Sequence, residues 1–180
     1  YECSVGNGIM VTDSVEVDEA TYPILVEERR VAEDSMGFGR WNGAPAVEGS
    51  YRSLSGGISL YCCGDGGTFP AKGVLGGGDA VHSGSWRVKP DGTSERLSDF
   101  YGGPIADGEA VGYRSCAGGG YGAPEKRDPE RVAEDVNRKW LSVKSARQVY
   151  GVALKLARNG VDYRVDAAAT RKLREKRATQ

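Results

Sequence analysis

Apolar and polar residues follow two different periods along this chain, and the change falls near residue 128. In VEVDEATYPILVEERRV, residues 15 to 31, Val15 and Val17 alternate with acids, and a compact apolar run from Tyr22 to Val26 follows with Pro23 inside it. A two-residue period predicts extended chain, and a proline in the run places it on a sheet edge, where a missing N–H breaks no ladder. GISLYCC, residues 57 to 63, alternates Ile58, Leu60 and Cys62 with Ser59, Tyr61 and Cys63; with AVEGSYRSL before it, it predicts two antiparallel strands. SGSWRVKPDGTSERL adds a strand and a PDGT turn, and GEAVGYRSC, residues 108 to 116, a further short strand.

Beyond Asp128 the period becomes helical. Asp128 is suited to cap, Pro129 fits the first helical position, Glu130 favours the positive helix end, and Val132, Val136 and Trp140 recur on one face. A second helix is predicted from Ser142, with Val149, Val152 and Leu156 at helical spacing and Asn159-Gly160 as its C-cap. A third, DAAATRKLREKR from Asp166, is polar nearly all round, and its basic face (Arg171, Lys172, Arg174, Lys176, Arg177) reads as solvated. The expected class is α+β: a glycine-rich, mainly antiparallel β domain over residues 1–125, then a small helical segment over 126–180 packing on it.

Composition changes this picture in one respect. Glycine makes up 27 of 180 residues without a collagen-like period, so it belongs in turns and close backbone approaches between short strands. Hydrophobic content of 39% and a net charge of −1 are ordinary, and they point to neither nucleic acid nor a membrane surface. With no apolar run of membrane length and no secretory signal, a soluble cytoplasmic protein is expected, its four cysteines reduced.

The glycine-rich loops invite a test for phosphate binding. AGGGYGAPEKRDPERVAEDV, residues 117 to 136, lacks the glycine-lysine spacing and the Ser or Thr of a P-loop, and its glycines do not fit GxGxxG. GFGRWNG, residues 37 to 43, misses that pattern too. GDGGTF, residues 64 to 69, is one residue short of the D-x-G-G-T turn of actin-like ATPases and suits a hairpin turn. His82, the one histidine, sits in a glycine-serine loop where exposure is expected, so neither a histidine-dependent nucleophile nor a metal site is expected within the chain.

Five blocks in order carry more information than any one loop: VEVDEATYPILVEERRV, DSMGFGRWNG, GTFPAKGVLGGG, AGGGYGAPEKRDPERVAEDV and ARQVYGVAL. The series resembles the C-terminal part of the B subunit of ATP-dependent hydantoinases, the group that includes 5-oxoprolinase and the biotin-independent acetone and acetophenone carboxylases. It departs from the family pattern at Met36, where glycine is usual, and at Ala123, where aspartate is usual. The resemblance implies a small or partial subunit of an ATP-dependent multi-subunit enzyme that carboxylates a ketone after phosphoryl activation, or alternatively hydrolyses a cyclic amide. It implies as partners a large ATP-binding subunit of actin-like fold and the remaining B-type subunit. ATP, Mg and any catalytic metal would be bound by those partners, and the isolated chain would be inactive. Arg40, Trp41 and Gly118, Gly119, Gly120 and Tyr121 are the candidates for a substrate-proximal position, with the GGGYG loop serving mainly for close backbone approach. A reading of another class, a stand-alone interaction module using YPILV and the basic last helix, stays open.

Overall fold

The computed structural model describes the backbone of residues 2–4, 8–10 and 14–178, and the side chains of 14–177. Strands β1 (Glu2–Ser4) and β2 (Gly8–Met10) form a small antiparallel pair. The acidic stretch after them is a helix, α1 (Val15–Thr21), where the two-residue alternation predicts extended chain. Its start explains the difference: the Ser14 side chain accepts from the Val17 amide, and Glu16 and Asp18 occupy the first turn, where the helix dipole favours acids. None of its residues is buried, so local capping rather than a core face decides its shape.

Strand β3 (Ile24–Val31) begins immediately after Pro23 and lies at the edge of a five-stranded antiparallel sheet. Next to it come β4 (Val47–Ser53), β9 (Ala110–Arg114), β6 (Gly84–Val88) and β7 (Ser94–Arg96), with a register shift between Val26 and Glu28 opposite β4. The PDGT turn joins β6 to β7 as its sequence requires, with Gly92 at φ +83. Strands β4 and β5 (Ile58–Cys63) both form, but they do not pair with each other. Instead β5 pairs with β8 (Phe100–Ile105), a strand whose GGP core hides its extended character, to make a separate two-stranded ribbon. GDGGTF is consequently a turn within a long loop, closed by Thr68 and Phe69 amides donating to the Asp65 carbonyl, and not a hairpin.

After a single 3-10 turn at Pro124–Lys126, α2 (Pro129–Asn137) starts where the sequence predicts, with the Asp128 carboxylate accepting from the Glu130 amide. Helix α3 (Val143–Gln148) is much shorter than its periodicity suggests. Gly151 takes a left-handed φ of +64, and the chain beyond it becomes a hairpin of β10 (Leu154–Leu156) and β11 (Tyr163–Val165). Asn159-Gly160 is the turn of that hairpin rather than a helix cap, with the Asn159 side chain bonded to Val161 and Asp162. Helix α4 (Ala167–Ala178) closes the chain, and its basic face is only partly solvated. Arg177 donates to the carbonyls of Arg147, Gln148 and Val149, and Arg174 to those of Arg127 and Tyr150, so guanidinium groups satisfy the exposed carbonyl end of α3.

The main apolar core is built around α2 and α3 and contains no residue of the five-stranded sheet. Val132 and Val136 of α2 and Leu141, Ala146, Tyr150 and Val152 pack with Met36, and Phe38 meets Tyr150 edge to face with ring centroids 5.7 Å apart. A second cluster consists only of alanines, Ala32, Ala46, Ala80 and Ala117. Such small side chains let the loops that leave the sheet run almost in backbone contact.

Candidate functional site

Three loops far apart in sequence, 37–43, 72–78 and 118–122, meet at one end of the five-stranded sheet. They are laced by main-chain hydrogen bonds: Gly37 N to Gly118 O at 2.8 Å, Gly78 N to Phe38 O at 2.7 Å, Gly120 N to Gly78 O at 2.9 Å and Val74 N to Gly120 O at 2.9 Å. Glycine is required because backbone lies against backbone. A Cβ on Gly39 would stand 2.6 Å from Tyr121 N and 2.7 Å from Trp41 O, and one on Gly43 would run into the Gly118 carbonyl. Neither Gly39 nor Gly43 has the left-handed conformation, so at these positions the constraint is space; Gly76 and Gly122 in the same loops, at φ +87 and +74, need glycine for the dihedral angle.

This packing brings together Arg40, Trp41 and Gly118 to Tyr121, the residues that the sequence singles out as candidates for a substrate-proximal position. Trp41 and Tyr121 form an antiparallel bridge, with Trp41 N to Tyr121 O at 3.0 Å and the reciprocal bond at 2.9 Å, while Arg40 N donates to Gly122 O. Val74 bridges Tyr121 on its other side. The GGGYG loop is thus a close-approach element for other segments of this same chain. Its amides are largely spent on neighbouring carbonyls and are not turned toward an anion.

The loop carrying Arg40 and Trp41 is held from below by a buried polar network. Asn42 Oδ1 accepts from Gly39 N at 3.1 Å and from the Tyr150 hydroxyl at 2.7 Å, and Asn42 Nδ2 donates to Asp135 Oδ2 at 3.1 Å. Arg127 pairs with Asp135 Oδ2 at 2.9 Å and donates to the Arg40 carbonyl at 3.0 Å. Burial raises the Asp135 carboxyl above its usual range, and Arg127 pulls it back. Burial also pushes the Tyr150 hydroxyl well above the usual phenol range, which keeps it a donor to Asn42. Asp34, at φ +58, plays a similar anchoring part: its carboxylate accepts from Ser142 N at 2.9 Å, Ser142 Oγ at 2.6 Å and Ser145 Oγ at 2.8 Å, fixing α3 against the start of the loop. Asn42 lies inside the motif quoted from the sequence, but its partners Asp135 and Tyr150 are 93 and 108 residues away, and no local spacing announces them.

A cleft lies elsewhere. It has a volume of ≈ 660 Å³ and opens between the β5–β8 ribbon and the face of the five-stranded sheet. Ile24, Ile58, Leu60 and Val111 line it, together with Tyr51 and Tyr113, whose rings stack at 5.6 Å. Its charged groups are already matched, Arg114 by Glu48 at 2.6 Å and Asp99 by Thr68 at 2.8 Å and Arg96 at 3.3 Å. Cys62 and Cys116 also face it, and both are free thiols. His82 is exposed, with Nδ1 2.8 Å from the Gly67 carbonyl. Among the described residues there is no group of three or more His, Cys, Asp or Glu that could hold a metal ion, and no helix is long and apolar enough to cross a membrane.

Comparison with known proteins adds the family. A protein of Methanocaldococcus jannaschii described as uncharacterized is 33% identical over 160 residues, 89% of this chain and 28% of that protein. The caprolactamase subunit beta of Pseudomonas jessenii is 27% identical over 156 residues, 82% of this chain and 26% of the subunit. Among solved structures, nucleotide-free acetone carboxylase superposes with a TM-score of 0.77 at 21% identity, over 96% of this chain and 27% of its own. The ATP-dependent caprolactamase of Pseudomonas jessenii gives 0.70 at 24%, over 90% and 28%. These structural likenesses show the α+β fold, and the chain spans about a quarter of the length of the relatives it matches. The hydantoinase B/oxoprolinase family model matches residues 2–124, well over half of the sequence, and the chain therefore belongs to the hydantoinase B/oxoprolinase family.

Proposed function

We propose that this chain is a structural and site-completing part of an ATP-dependent multi-subunit enzyme that activates a carbonyl by phosphorylation and then carboxylates a ketone. The observation that carries the reading is the half-open interior. The inward residues Ile58, Leu60 and Cys62 of β5 are only half-buried, while Tyr61 and Phe100 on the outer face of the ribbon are 89% and 70% exposed. A two-stranded ribbon wet on both faces is marginal by itself, and such exposed apolar area belongs to a surface that further protein covers. Large partners, an ATP-binding subunit of actin-like fold and the remaining B-type subunit, supply that cover. They also hold Mg-ATP and any catalytic metal, where phosphoryl transfer depends on positioning and electrostatic stabilisation. The face formed by Arg40, Trp41 and Gly118 to Tyr121 is the part of this chain turned toward the partner subunits, at the edge of the site they share.

The likeness to acetone carboxylase over 96% of the chain supports the carboxylating branch. The sequence relation to caprolactamase subunit beta favours a second reading, hydrolysis of a cyclic amide by the same activation chemistry. Native mass and subunit composition of the protein purified from its source test the assembly. ATP hydrolysis by that assembly, with acetone, acetophenone, 5-oxoproline or caprolactam and with or without bicarbonate, then tests the branch. Ketone-stimulated, bicarbonate-dependent turnover supports carboxylation, and lactam-stimulated turnover without bicarbonate replaces it by hydrolysis. A monodisperse 19.2 kDa monomer without partners would sink the subunit reading and favour a stand-alone interaction module.

A further inference from the structure

Side chains of three different loops stand in one row on the outer surface of the glycine layer. Tyr121 is bridged to Trp41 on one side and to Val74 on the other, and the three are 51%, 49% and 52% exposed. Leu75, the residue after Val74, is exposed beside them. Two guanidinium groups flank the indole: Arg131 of α2 lies 5.1 Å from the Trp41 ring centroid and Arg40 lies 5.9 Å from it. Among the described residues neither arginine has an acidic partner, whereas the neighbouring Arg127 and Lys72 are held by Asp135 and Asp79.

Three features distinguish this row from scattered surface apolar residues. Its composition of Trp, Tyr and two Arg is that of the residues that dominate protein interfaces energetically. Its backbone is locked from beneath by main-chain bonds between loops whose glycines leave no room for movement, so little ordering remains for a partner to impose. Its arginines carry uncompensated positive charge beside apolar faces, which selects a partner bearing carboxylates next to aliphatic groups. None of its residues lines the ≈ 660 Å³ cleft.

We propose that the Trp41–Tyr121–Val74 row with Arg40 and Arg131 is a docking platform for an acidic, aliphatic segment of the large subunit with which this chain assembles. The proposal rests on the reading that the chain works within an assembly, and goes beyond it by naming the anchor residues and the chemistry they recognise. Carboxylates of the segment pair with Arg40 and Arg131, and its aliphatic side chains lie on Trp41 and Tyr121.

The test uses the chain coexpressed with its partner subunits, purified, and the dissociation constant of this chain for the partners measured over a range of NaCl concentrations. For the wild type, binding weakens about tenfold as salt rises from low to high ionic strength, because the pairs at the rim are screened. The R40E/R131E double variant weakens binding about 100-fold at low salt and inverts the salt dependence, because carboxylates then face carboxylates and added salt relieves their repulsion, and Trp41→Ala weakens binding about tenfold or more without changing the salt slope. R171E/K172E, which reverses two exposed charges on α4, leaves binding unchanged and controls for net charge. Far-ultraviolet circular dichroism and thermal midpoints establish that each variant is folded, and R40Q/R131Q gives a milder version of the same loss. If the wild type assembles and folded R40E/R131E binds equally well, the platform is overturned while the subunit reading stands. If the wild type assembles with nothing, both are overturned.

Discussion

Substituting Gly39 by alanine tests the central architectural claim, that the three loops are held by backbone contact for which only hydrogen fits. An alanine Cβ there meets Tyr121 N at 2.6 Å, Trp41 O at 2.7 Å and Tyr121 O at 2.8 Å, all of them main-chain atoms that cannot rotate away. Ordinary contact between such atoms lies near 3.5 Å, so the two loops must separate by roughly 1 Å. Overpacking of this kind costs about 1–3 kcal/mol. The separation also strains the reciprocal Trp41–Tyr121 bonds, now 3.0 and 2.9 Å, each contributing about 1 kcal/mol net. A loss of about 2–4 kcal/mol follows, a large share of the roughly 5–15 kcal/mol available to a domain. Urea unfolding followed by circular dichroism reads it as a lower midpoint at unchanged slope. Two controls separate the causes. Gly112→Ala, in strand β9 with nothing within 4 Å of its Cβ and no left-handed φ, should be neutral or stabilise by about 0.5 kcal/mol. Gly56→Ala, also in open space but at φ +75, should cost only the dihedral penalty of about 1–2 kcal/mol. A Gly39→Ala midpoint within experimental error of the wild type would refute the close-packed layer.

Asp135→Ala should destabilise by about 3–5 kcal/mol because it leaves Arg127 buried without its partner, and replacing both together by Met and Leu should recover most of that loss, as measured by urea midpoints. Asp34→Ala removes three acceptor contacts at the start of α3 and should cost about 1–2 kcal/mol, whereas Asp34→Asn, which tolerates the left-handed conformation, should cost less in the same assay. Asp79 is held below its ordinary pKa of 3.8 first by Lys72 and then by the Gly73 amide, so its contribution is present above that value and disappears as pH falls through its own lowered one. The Gly73 amide chemical shift, followed by NMR down to low pH, should therefore titrate below the ordinary aspartate midpoint; a midpoint at or above it would refute the contact.

Local signals in the sequence read well wherever the deciding interaction is close by. The start of α2 is legible because Asp128, Pro129 and Glu130 determine it among themselves, and the β6–β7 turn because PDGT is complete within four residues. The YPILV segment reaches its place on a sheet edge for the same reason, since Pro23 acts on its immediate neighbours. Local signals mislead where two of them compete or the deciding partner is remote. Ser14 capping overrides the Val15/Val17 alternation, and the left-handed Gly151 stops α3 although Val152 and Leu156 keep its period. The basic face of α4 has no local mark of its packing, because nothing in its own sequence reveals that carbonyls of Arg147 to Val149 end opposite Arg177. At the candidate site, the glycine loops and Arg40, Trp41 and Tyr121 were visible as motifs. Val74 and Arg131 lie inside quoted blocks but nothing local marks them out, because only the tertiary structure makes them neighbours of Trp41 and Tyr121.

The layer of three glycine loops also bears on how the molecule reaches its native state. Its contacts join segments near residues 40, 75 and 120, so each closure carries the entropic cost of a long loop of intervening chain. Contacts of such long sequence separation come late, after the capped α2 and the β6–β7 hairpin have had time to form from neighbours. Glycines that serve late closure would govern how fast the native structure opens far more than how fast it forms. The loops would then act as the final latch of folding, and their durability would be a matter of unfolding rate as much as of equilibrium.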